Sequence, residues 1–277
     1  MTASFKLDVI IPTYNRASLV KRAIDSVLKQ THKLFTIHVV DDGSTDDTQE
    51  LLSQYRNHPQ VITHLIENGG VSRARNYGVN VSKDNWICFL DSDDEWIPQK
   101  LEKQILFLGQ HPEIEFVHSE EIWVRNGVRV NPKIKHSKES NDLFKRSLEF
   151  CLISPSTVMM KRSLFMKYGP FEEEFQVCED FDLWNKILAH EEVGYLPDYL
   201  ALKYGGHEDQ LSTKYFAMDY WRIKSLVKLF YSNITDDQKF LIQDVLRRKS
   251  EILLKGYQKH QNMNHFEEIK KLVEPII

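Results

Sequence analysis

Apolar and polar positions along the first hundred residues predict strands and helices in alternation. Short apolar runs, each followed by a polar or glycine-containing segment, predict four buried strands at residues 9–11, 35–40, 61–66 and 86–90. Apolar residues at helical spacing predict helices at residues 19–28, from about 46 to about 55, and at 71–81. This order predicts a parallel sheet with helices on its faces.

The pattern changes after about residue 116. Asn126-Gly127 between β-rich stretches predicts a two-residue hairpin turn. This stretch is also basic, through Arg125, Arg129, Lys133, Lys135 and Lys138. Further elements are predicted as short strands at 157–160 and 193–196, a helix at 182–190, and helices from 218 onward with a start at 235–237. The chain therefore predicts an α/β domain over residues 1–215 and a helical C-terminal appendage over 216–277.

Composition narrows the class of protein. The chain has 277 residues, 42% of them hydrophobic and 27% charged, which is typical of a folded domain that needs no staples. The net charge of −4 disfavours a nucleic-acid partner. Three widely spaced cysteines predict neither a disulfide framework nor a zinc site. Without a signal-peptide pattern or a bilayer-length apolar run we expect a cytoplasmic protein, with peripheral contact at the inner face of the membrane and the oligomeric state left open.

Polar or glycine-rich segments follow all four of the first predicted strands, at residues 13–16, 41–42, 69–70 and 91–93. Ligands of open α/β sheets bind outside the carboxyl ends of the strands, so these segments are expected to converge on one edge. The alternative is that each segment is only a solvated turn or a helix cap.

Asp91-Ser92-Asp93 is the most specific of these segments, because it indicates a site for a divalent cation. Two carboxylates after a buried strand favour a divalent cation that shares its oxygen ligands with substrate phosphates, as Mn²⁺ and Mg²⁺ do. An EF-hand is excluded because Trp96 stands where that loop needs glycine. Gly69-Gly70 opens a helix whose N-terminus favours an anion, but the segment is neither a dinucleotide fingerprint nor a P-loop. An ordinary turn with two surface arginines is the alternative there.

Taken in order, four segments resemble the successive motifs of the family 2 glycosyltransferases. They are VIIPTYNR (residues 9–16), VDDGSTD (40–46), NGGVSRARNYG (68–78) and FLDSDD (89–94). The resemblance implies a GT-A type, Rossmann-like mixed and mainly parallel sheet, with a nucleotide-binding half over 1–110 and an acceptor-binding half over 111–215. It also implies transfer of a sugar from a nucleotide diphosphate with inversion.

The resemblance assigns roles to residues on the donor side. Pro12, Thr13, Tyr14 and Arg16 would line the nucleoside pocket, and Asp42 or its neighbour Asp41 would bind the base. Gly70 and Arg75 would lie near ribose or phosphate. Asp91 would contact ribose, or the metal through water, next to Ser92 in the donor site. Asp93 would bind the metal directly.

A later motif, CEDFDLW at residues 178–184, resembles the acidic pair that precedes a helix in this family. An inverting transfer needs a carboxylate that takes the proton of the acceptor hydroxyl, and we assign that role to Asp180. Glu179 and Trp184 are expected to contact the acceptor, with helix capping as the alternative for the acidic pair. His207 is expected to touch metal or diphosphate, or else to be simply solvated.

These assignments predict a metal-dependent inverting glycosyltransferase of the hexosyltransferase type. Its co-substrate would be a nucleotide-diphosphate sugar, most commonly a UDP-sugar in this family, and its acceptor a glycan or a lipid-linked hydroxyl in cell-surface polysaccharide synthesis. Two alternatives remain at this stage. One is a nucleotidyltransferase that makes sugar nucleotides, although its usual Gly-rich basic loop is replaced here by residues 12–16. The other is a sugar-nucleotide-binding protein without turnover.

Overall fold

A mixed sheet with helices on both faces carries the elements that the sequence predicts. The computed structural model describes residues 5–131, 133–139, 142–206, 218–261, 263 and 265–277. The strands in this part are β1 (Leu7–Thr13), β2 (Phe35–Asp41), β3 (Val61–Leu65), β4 (Trp86–Phe89), β5 (Glu95–Trp96), β6 (Phe116–Arg125), β7 (Val128–Val130), β8 (Met159–Lys161) and β9 (Gly194–Gly205).

Ten α-helices accompany these strands in the described ranges. They are α1 (Ala17–Leu28), α2 (Thr48–Ser53), α3 (Val71–Val81), α4 (Lys100–Gln110), α5 (Leu143–Ser147), α6 (Arg162–Tyr168), α7 (Glu179–Leu188), α8 (Asp219–Phe230), α9 (Asp236–Lys259) and α10 (Phe266–Val273). None of these described helices is both long and apolar enough to cross a membrane.

The sheet has a parallel half and a mixed half. Its strand order is β3-β2-β1-β4-β8-β6-β9-β5, and β7 pairs with β6. Strands β3, β2, β1 and β4 are parallel, so their carboxyl ends share one edge, as the sequence predicts. Beyond β4 the direction alternates: β8 is antiparallel to both β4 and β6, whereas β9 is parallel to β6. The predicted mixed α/β sheet is therefore confirmed.

The unbroken apolar run of β1 is explained by helices on both of its faces. Val9 and Ile11 belong to the hydrophobic cluster that contains α1. Ile10 points the other way and belongs to a cluster with Val79 of α3. Because successive side chains of a strand alternate between faces, a strand covered on both sides must be apolar throughout. The two helices thereby fix where β1 ends and its loop begins.

The three C-terminal helices pack on the acceptor-side part of the chain. Buried residues of α8, α9 and α10, among them Ile223, Leu246 and Ile269, share one hydrophobic cluster with Phe181 of α7. Helix α9 begins with a capping box, in which Thr235 and Gln238 bond reciprocally through side chain and backbone, as predicted for residues 235–237. The boundary at residue 215 stays a prediction, since the appendage shares its core with the preceding part.

Strand β9 is longer than the sequence predicts. The apolar run at 193–196 predicts only a short strand. In the structure β9 continues to Gly205, and register shifts around Glu120 of β6 absorb the interruption. The hairpin at Asn126-Gly127 is confirmed, with φ of 51° and 77° at the two turn residues.

Close packing of α3 on β1 gives a test of the fold. A Cβ placed on Gly78 would lie 2.5 Å from Cγ2 of Ile10, inside the buried core. We expect Gly78→Ala to lower the free energy of unfolding by about 1–3 kcal/mol through overpacking. Urea denaturation measures this change.

A matched helical glycine serves as the control. Gly256 of α9 has open space where its Cβ would lie. We expect Gly256→Ala to raise the free energy of unfolding by roughly 0.5–1 kcal/mol, since alanine restricts the unfolded chain. Equal stability of the two variants would contradict the close approach of α3 to β1.

Candidate active site

The loops after β1 and β2 are tied together by Asn15. Its backbone adopts φ 51°, and its N–H donates to Ser44 Oγ at 2.8 Å. Its side-chain oxygen accepts from the backbone N–H of Thr45 at 2.7 Å. The backbone N–H of Arg16 donates to Thr48 Oγ1 at 3.0 Å. These bonds hold the first two motifs against each other at the edge of the sheet.

Two buried polar atoms at this edge lack hydrogen-bond partners. Thr13 and Asp41 are register partners at the ends of β1 and β2. Asp41 Oδ1 accepts from the backbone N–H of Ser44 at 2.9 Å, but within the described residues Asp41 Oδ2 and Thr13 Oγ1 have no partner. Leaving such a group unpaired costs about 1–3 kcal/mol each, so these atoms suit a polar ligand. Tyr14 beside them is exposed and Pro12 is buried within β1.

Asp42 holds the glycine loop. Its two carboxylate oxygens accept from the backbone N–H groups of Gly69 and Gly70 at 2.9 and 2.7 Å, and Asn68 Nδ2 lies 3.2 Å from Oδ2. Burial raises the pKa of Asp42, and the two amide bonds offset part of that rise. Oδ1 keeps a second lone pair, whereas Oδ2 already accepts from both Gly70 and Asn68. Both Asp41 and Asp42 therefore stay candidates for the base contact.

Gly70 is required by its backbone rather than by close packing. Its φ of 93° lies in the left-handed region, and a Cβ there would meet nothing within 4 Å. Gly69 differs, because its Cβ would collide with the side chain of Arg73. The glycine loop thus turns the chain so that both amides reach Asp42.

Arg75 bonds to the acidic motif after β4 and to a second acidic residue, Glu179, which lies 104 residues after Arg75 in the chain. Its Nη2 donates to Asp91 Oδ1 at 2.7 Å, and its Nη1 donates to Glu179 Oε1 at 2.6 Å. The residue is buried, with the guanidinium 5.2 Å from the ring centre of Phe171. Burial alone lowers the pKa of Arg75, but the carboxylates of Asp91 and Glu179 raise it by more. The donor-side and acceptor-side motifs are thereby brought to one place.

Three aspartates form a cluster at the end of β4. Carboxylate oxygens of Asp91, Asp93 and Asp94 all lie within 4.8 Å of one another. Asp93 Oδ2 accepts from Arg16 Nη1 at 2.6 Å, which links the first motif to the fourth. Hard carboxylate oxygens at this spacing fit a divalent cation such as Mn²⁺ or Mg²⁺. Ser92, between the first two aspartates, is buried.

Asp94 is the member of this cluster to which the sequence assigned no role. It is buried and accepts from Ser156 Oγ at 2.6 Å and from the backbone N–H of Tyr204 at 3.0 Å. Burial, followed by the charges of Asp93 and Asp91, raises the pKa of Asp94 well above its usual range. The doubled aspartate at 93–94 was the available signal, but its partners lie in distant parts of the chain, Ser156 in the turn before β8 and Tyr204 in β9.

Asp180 lies in the first turn of α7, after Cys178 with φ 68°. Its Oδ2 accepts from the thiol of Cys151 at 3.2 Å, and its Oδ1 accepts from the backbone N–H of Phe181 at 2.7 Å. Burial, followed by the charge of Asp180, raises the pKa of Cys151 well above its usual value, so this thiol keeps its proton and donates. Nothing in the sequence indicates this pairing.

Neighbouring Glu179 is buried and paired with Arg75. Burial raises the pKa of Glu179, the charge of Arg75 lowers it, and Asp180 raises it again. Its predicted contact with an acceptor stays a prediction.

The expected acceptor contact of Trp184 stays a prediction. Trp184 is only 2% exposed, and its indole packs on Phe89, Phe116 and Phe171 in the core behind α7. The ring turns inward because an amphipathic helix buries its large apolar side chains against the sheet. His207 lies outside the described residues.

The sequence of this chain is similar to those of known glycosyltransferases. Residues 8–169, more than half of the chain, match the family described as Glycosyl transferase family 2. An uncharacterized glycosyltransferase of Rickettsia typhi is 33% identical over 220 residues, covering 76% of this chain and 66% of that protein. The Escherichia coli protein WfgD, a UDP-Glc:alpha-D-GlcNAc-diphosphoundecaprenol beta-1,3-glucosyltransferase, is 29% identical over 214 residues, covering 76% of this chain and 81% of its own length.

A solved structure shares the fold. TarS of S. aureus in complex with UDP-GlcNAc superimposes with a TM-score of 0.80 at 22% identity, covering 98% of this chain and 82% of TarS residues 1–349. The predicted GT-A type fold is thus confirmed. The chain belongs to glycosyl transferase family 2, as the family match shows. It spans between 28% and 66% of the length of the first Rickettsia glycosyltransferases that it matches.

The bridging role of Arg75 is testable by stability. We expect Arg75→Met to lower the free energy of unfolding by about 3–5 kcal/mol, because it leaves buried Glu179 without its counter-charge. Chemical denaturation followed by circular dichroism measures the change. Arg73, two residues earlier and exposed, provides the control, and Arg73→Met is expected to stay within about 0.5 kcal/mol of the unaltered protein. A similar small effect at both positions would contradict the bridge.

Proposed function

We propose that this protein is an inverting glycosyltransferase that moves a sugar from a nucleotide-diphosphate donor to a hydroxyl of a glycan or lipid-linked acceptor. The observation that carries this proposal is the double ion pair of Arg75, at 2.7 Å to Asp91 and 2.6 Å to Glu179. This pair joins the acidic cluster to Glu179, the residue next to the candidate base Asp180. A transfer reaction needs its two substrates to meet in this way.

The donor side fits a nucleoside diphosphate. Thr13 Oγ1 and Asp41 Oδ2 offer buried polar atoms that lack partners in the described residues, next to the exposed ring of Tyr14. A uridine diphosphate sugar is the donor we favour, since WfgD is named for UDP-Glc and TarS is crystallised with UDP-GlcNAc. The acidic cluster would be repelled by a diphosphate without a cation between them.

A divalent cation resolves that repulsion. Asp91, Asp93 and Asp94 would hold Mn²⁺ or Mg²⁺, which when bound stabilises negative charge on the departing diphosphate. Arg16, bonded to Asp93, and Arg75, bonded to Asp91, keep two of these carboxylates in position. The chain thus supplies a preorganised set of oxygen ligands.

Asp180 serves as the general base. Its carboxylate takes the proton from the acceptor hydroxyl as that oxygen attacks the anomeric carbon from the face opposite the leaving group. The Cys151 thiol and the Phe181 amide fix the two carboxylate oxygens. Attack from the opposite face inverts the configuration at that carbon.

The acceptor is a glycan or a lipid-linked sugar in cell-surface polysaccharide synthesis. WfgD, which matches 76% of this chain, is named for an acceptor with a diphosphoundecaprenol anchor. A nucleotidyltransferase would instead release pyrophosphate from a nucleoside triphosphate, and a binding protein would hold the nucleotide sugar without turnover. Product analysis with radiolabelled nucleotide sugars separates the three.

Substitution of the base tests the reaction directly. We expect Asp180→Asn to lower kcat by about 100- to 10,000-fold, because an amide takes no proton. Transfer is followed by chromatography of the labelled product, with circular dichroism confirming the fold. Asp244→Asn on the exposed face of α9 is the control and is expected to keep its rate. A near-normal rate for Asp180→Asn would remove Asp180 from the mechanism.

Metal removal tests the acidic cluster. We expect EDTA to abolish transfer and added Mn²⁺ or Mg²⁺ to restore it in the unaltered protein. In Asp93→Ala, which lacks a carboxylate of the cluster, we expect the added metal not to restore transfer. Thermal unfolding provides a second readout, since UDP should raise the Tm more with Mn²⁺ than without it. Full activity in EDTA would contradict the metal site.

A further inference from the structure

The three aspartates of the acidic cluster lie on one tight turn, which we call the acidic turn (residues 91–94). The backbone N–H of Asp94 donates to the carbonyl of Asp91 at 3.0 Å. Ser156 Oγ accepts from the backbone N–H of Asp91 at 3.1 Å and donates to Asp94 Oδ2 at 2.6 Å. These bonds hold the two ends of the turn. The spacing of the three carboxylates also depends on what holds its middle, where Asp93 lies.

Arg22 of α1 bonds to the middle of the acidic turn. Its Nη2 donates to the backbone carbonyl oxygen of Asp93, whereas Arg16 bonds to the carboxylate of the same residue. Arg22 is half-buried, and its Nε is buried without a hydrogen-bond partner among the described residues. The bond to the carbonyl alone does not fix the plane of the guanidinium, so a second contact is needed to hold Arg22 in place.

The ring of Tyr204, near the end of β9, supplies this second contact. The guanidinium carbon of Arg22 lies 3.7 Å from the centre of the ring, well within the range of a cation–π interaction. Tyr204 is itself held on two sides. Its backbone N–H donates to Asp94 Oδ1 at 3.0 Å, and its hydroxyl donates to Glu95 Oε2 at 3.0 Å. Tyr204 therefore contacts the acidic turn directly through its backbone and indirectly through Arg22.

We propose that Arg22 and Tyr204 are positioning residues of the cation site, which hold the acidic turn in the shape in which its carboxylates bind the metal. The inference rests on the proposed function, because it concerns how the metal of that reaction is held. Residues that support metal ligands from behind set the orientation of those ligands. A site that is ordered before the metal binds avoids the entropic cost of ordering its ligands during binding.

The positive charge of Arg22 separates positioning from a purely electrostatic effect. A positive side chain near a divalent cation repels it. If Arg22 acted only through its charge, Arg22→Met would strengthen Mn²⁺ binding. If Arg22 holds the carbonyl of Asp93, the same substitution weakens Mn²⁺ binding, because the turn loses a bond. The direction of the change therefore identifies the role of this residue.

Mn²⁺ binding in the presence of UDP tests the proposal, with electron paramagnetic resonance measuring the free Mn²⁺. We expect Arg22→Met and Tyr204→Leu each to raise the Kd for Mn²⁺ about 10-fold or more. Tyr204→Phe keeps the ring beside Arg22 and is expected to stay within about 3-fold of the unaltered protein. The double variant Arg22→Met/Tyr204→Leu is expected to lose less than the product of the two single losses, because both changes remove one shared contact.

Two matched controls come from the same helix and the same strand. Tyr199→Leu removes another ring of β9, which lies 5.6 Å from the guanidinium carbon of Arg129 instead. Lys21→Met changes the residue before Arg22, and Lys21 pairs with Asp25 at 2.6 Å. We expect both controls to bind Mn²⁺ as the unaltered protein does. Circular dichroism checks that every variant is folded, and an equal loss in the controls would overturn the proposal.

The same measurements separate this inference from the proposed function. Tighter Mn²⁺ binding in Arg22→Met, or an unchanged Kd for Mn²⁺ in Tyr204→Leu, would overturn the positioning role. Weaker Mn²⁺ binding in both variants, without sugar transfer by the unaltered protein, would uphold the positioning role and count against the transferase. Sugar transfer by the unaltered protein, with full Mn²⁺ affinity in both variants, would uphold the transferase and overturn the positioning role.

Discussion

The buried guanidinium of Arg75 is the interaction on which the site depends. A charge in the interior is tolerated only when its partners compensate the loss of water, and here Asp91 and Glu179 each contribute a carboxylate. Such an arrangement adds little net stability, but it allows few alternative geometries. Because its partners belong to the end of β4 and the start of α7, Arg75 sets the separation between the donor side and the acceptor side.

Two buried polar atoms at the edge of the sheet have no hydrogen-bond partner among the described residues. Thr13 Oγ1 and Asp41 Oδ2 are buried at adjacent strand ends, and no described residue bonds to them. Asp42, by contrast, bonds the glycine loop through both of its oxygens. Asp42 thus holds the glycine loop, whereas Asp41 keeps one carboxylate oxygen to which no described residue bonds. Their sequence context alone does not separate them, since the difference arises from the loop packed against Asp42.

The sequence predicts the features that a local pattern sets, but not the features that depend on contacts between distant residues. Residues 9–11, 35–40 and 86–90 read as buried strands, and the rule for parallel sheets then brought residues 13, 41 and 91 to one edge. The burial of Trp184 against Phe116 could not be predicted, because the motif shows that a helix follows but not which side meets the sheet. Cys151 was missed because its bond to Asp180 depends on how the segment before β8 packs on α7.

The segments proposed for the donor and for the acceptor differ in the same way. The family match spans residues 8–169, which contain the glycine loop and the acidic cluster, whereas Lys203 and Arg222 lie beyond it. The side chains proposed to bind the donor lie at strand ends, whose positions follow from the sheet itself. Lys203 belongs to β9 and Arg222 to α8, and their positions depend on the bulged pairing of β9 with β6 and on the packing of the C-terminal helices. The acidic cluster depends on both parts of the chain, since Asp93 is held by Arg16 and Asp91 by Arg75, whereas Asp94 accepts from the backbone N–H of Tyr204 in β9.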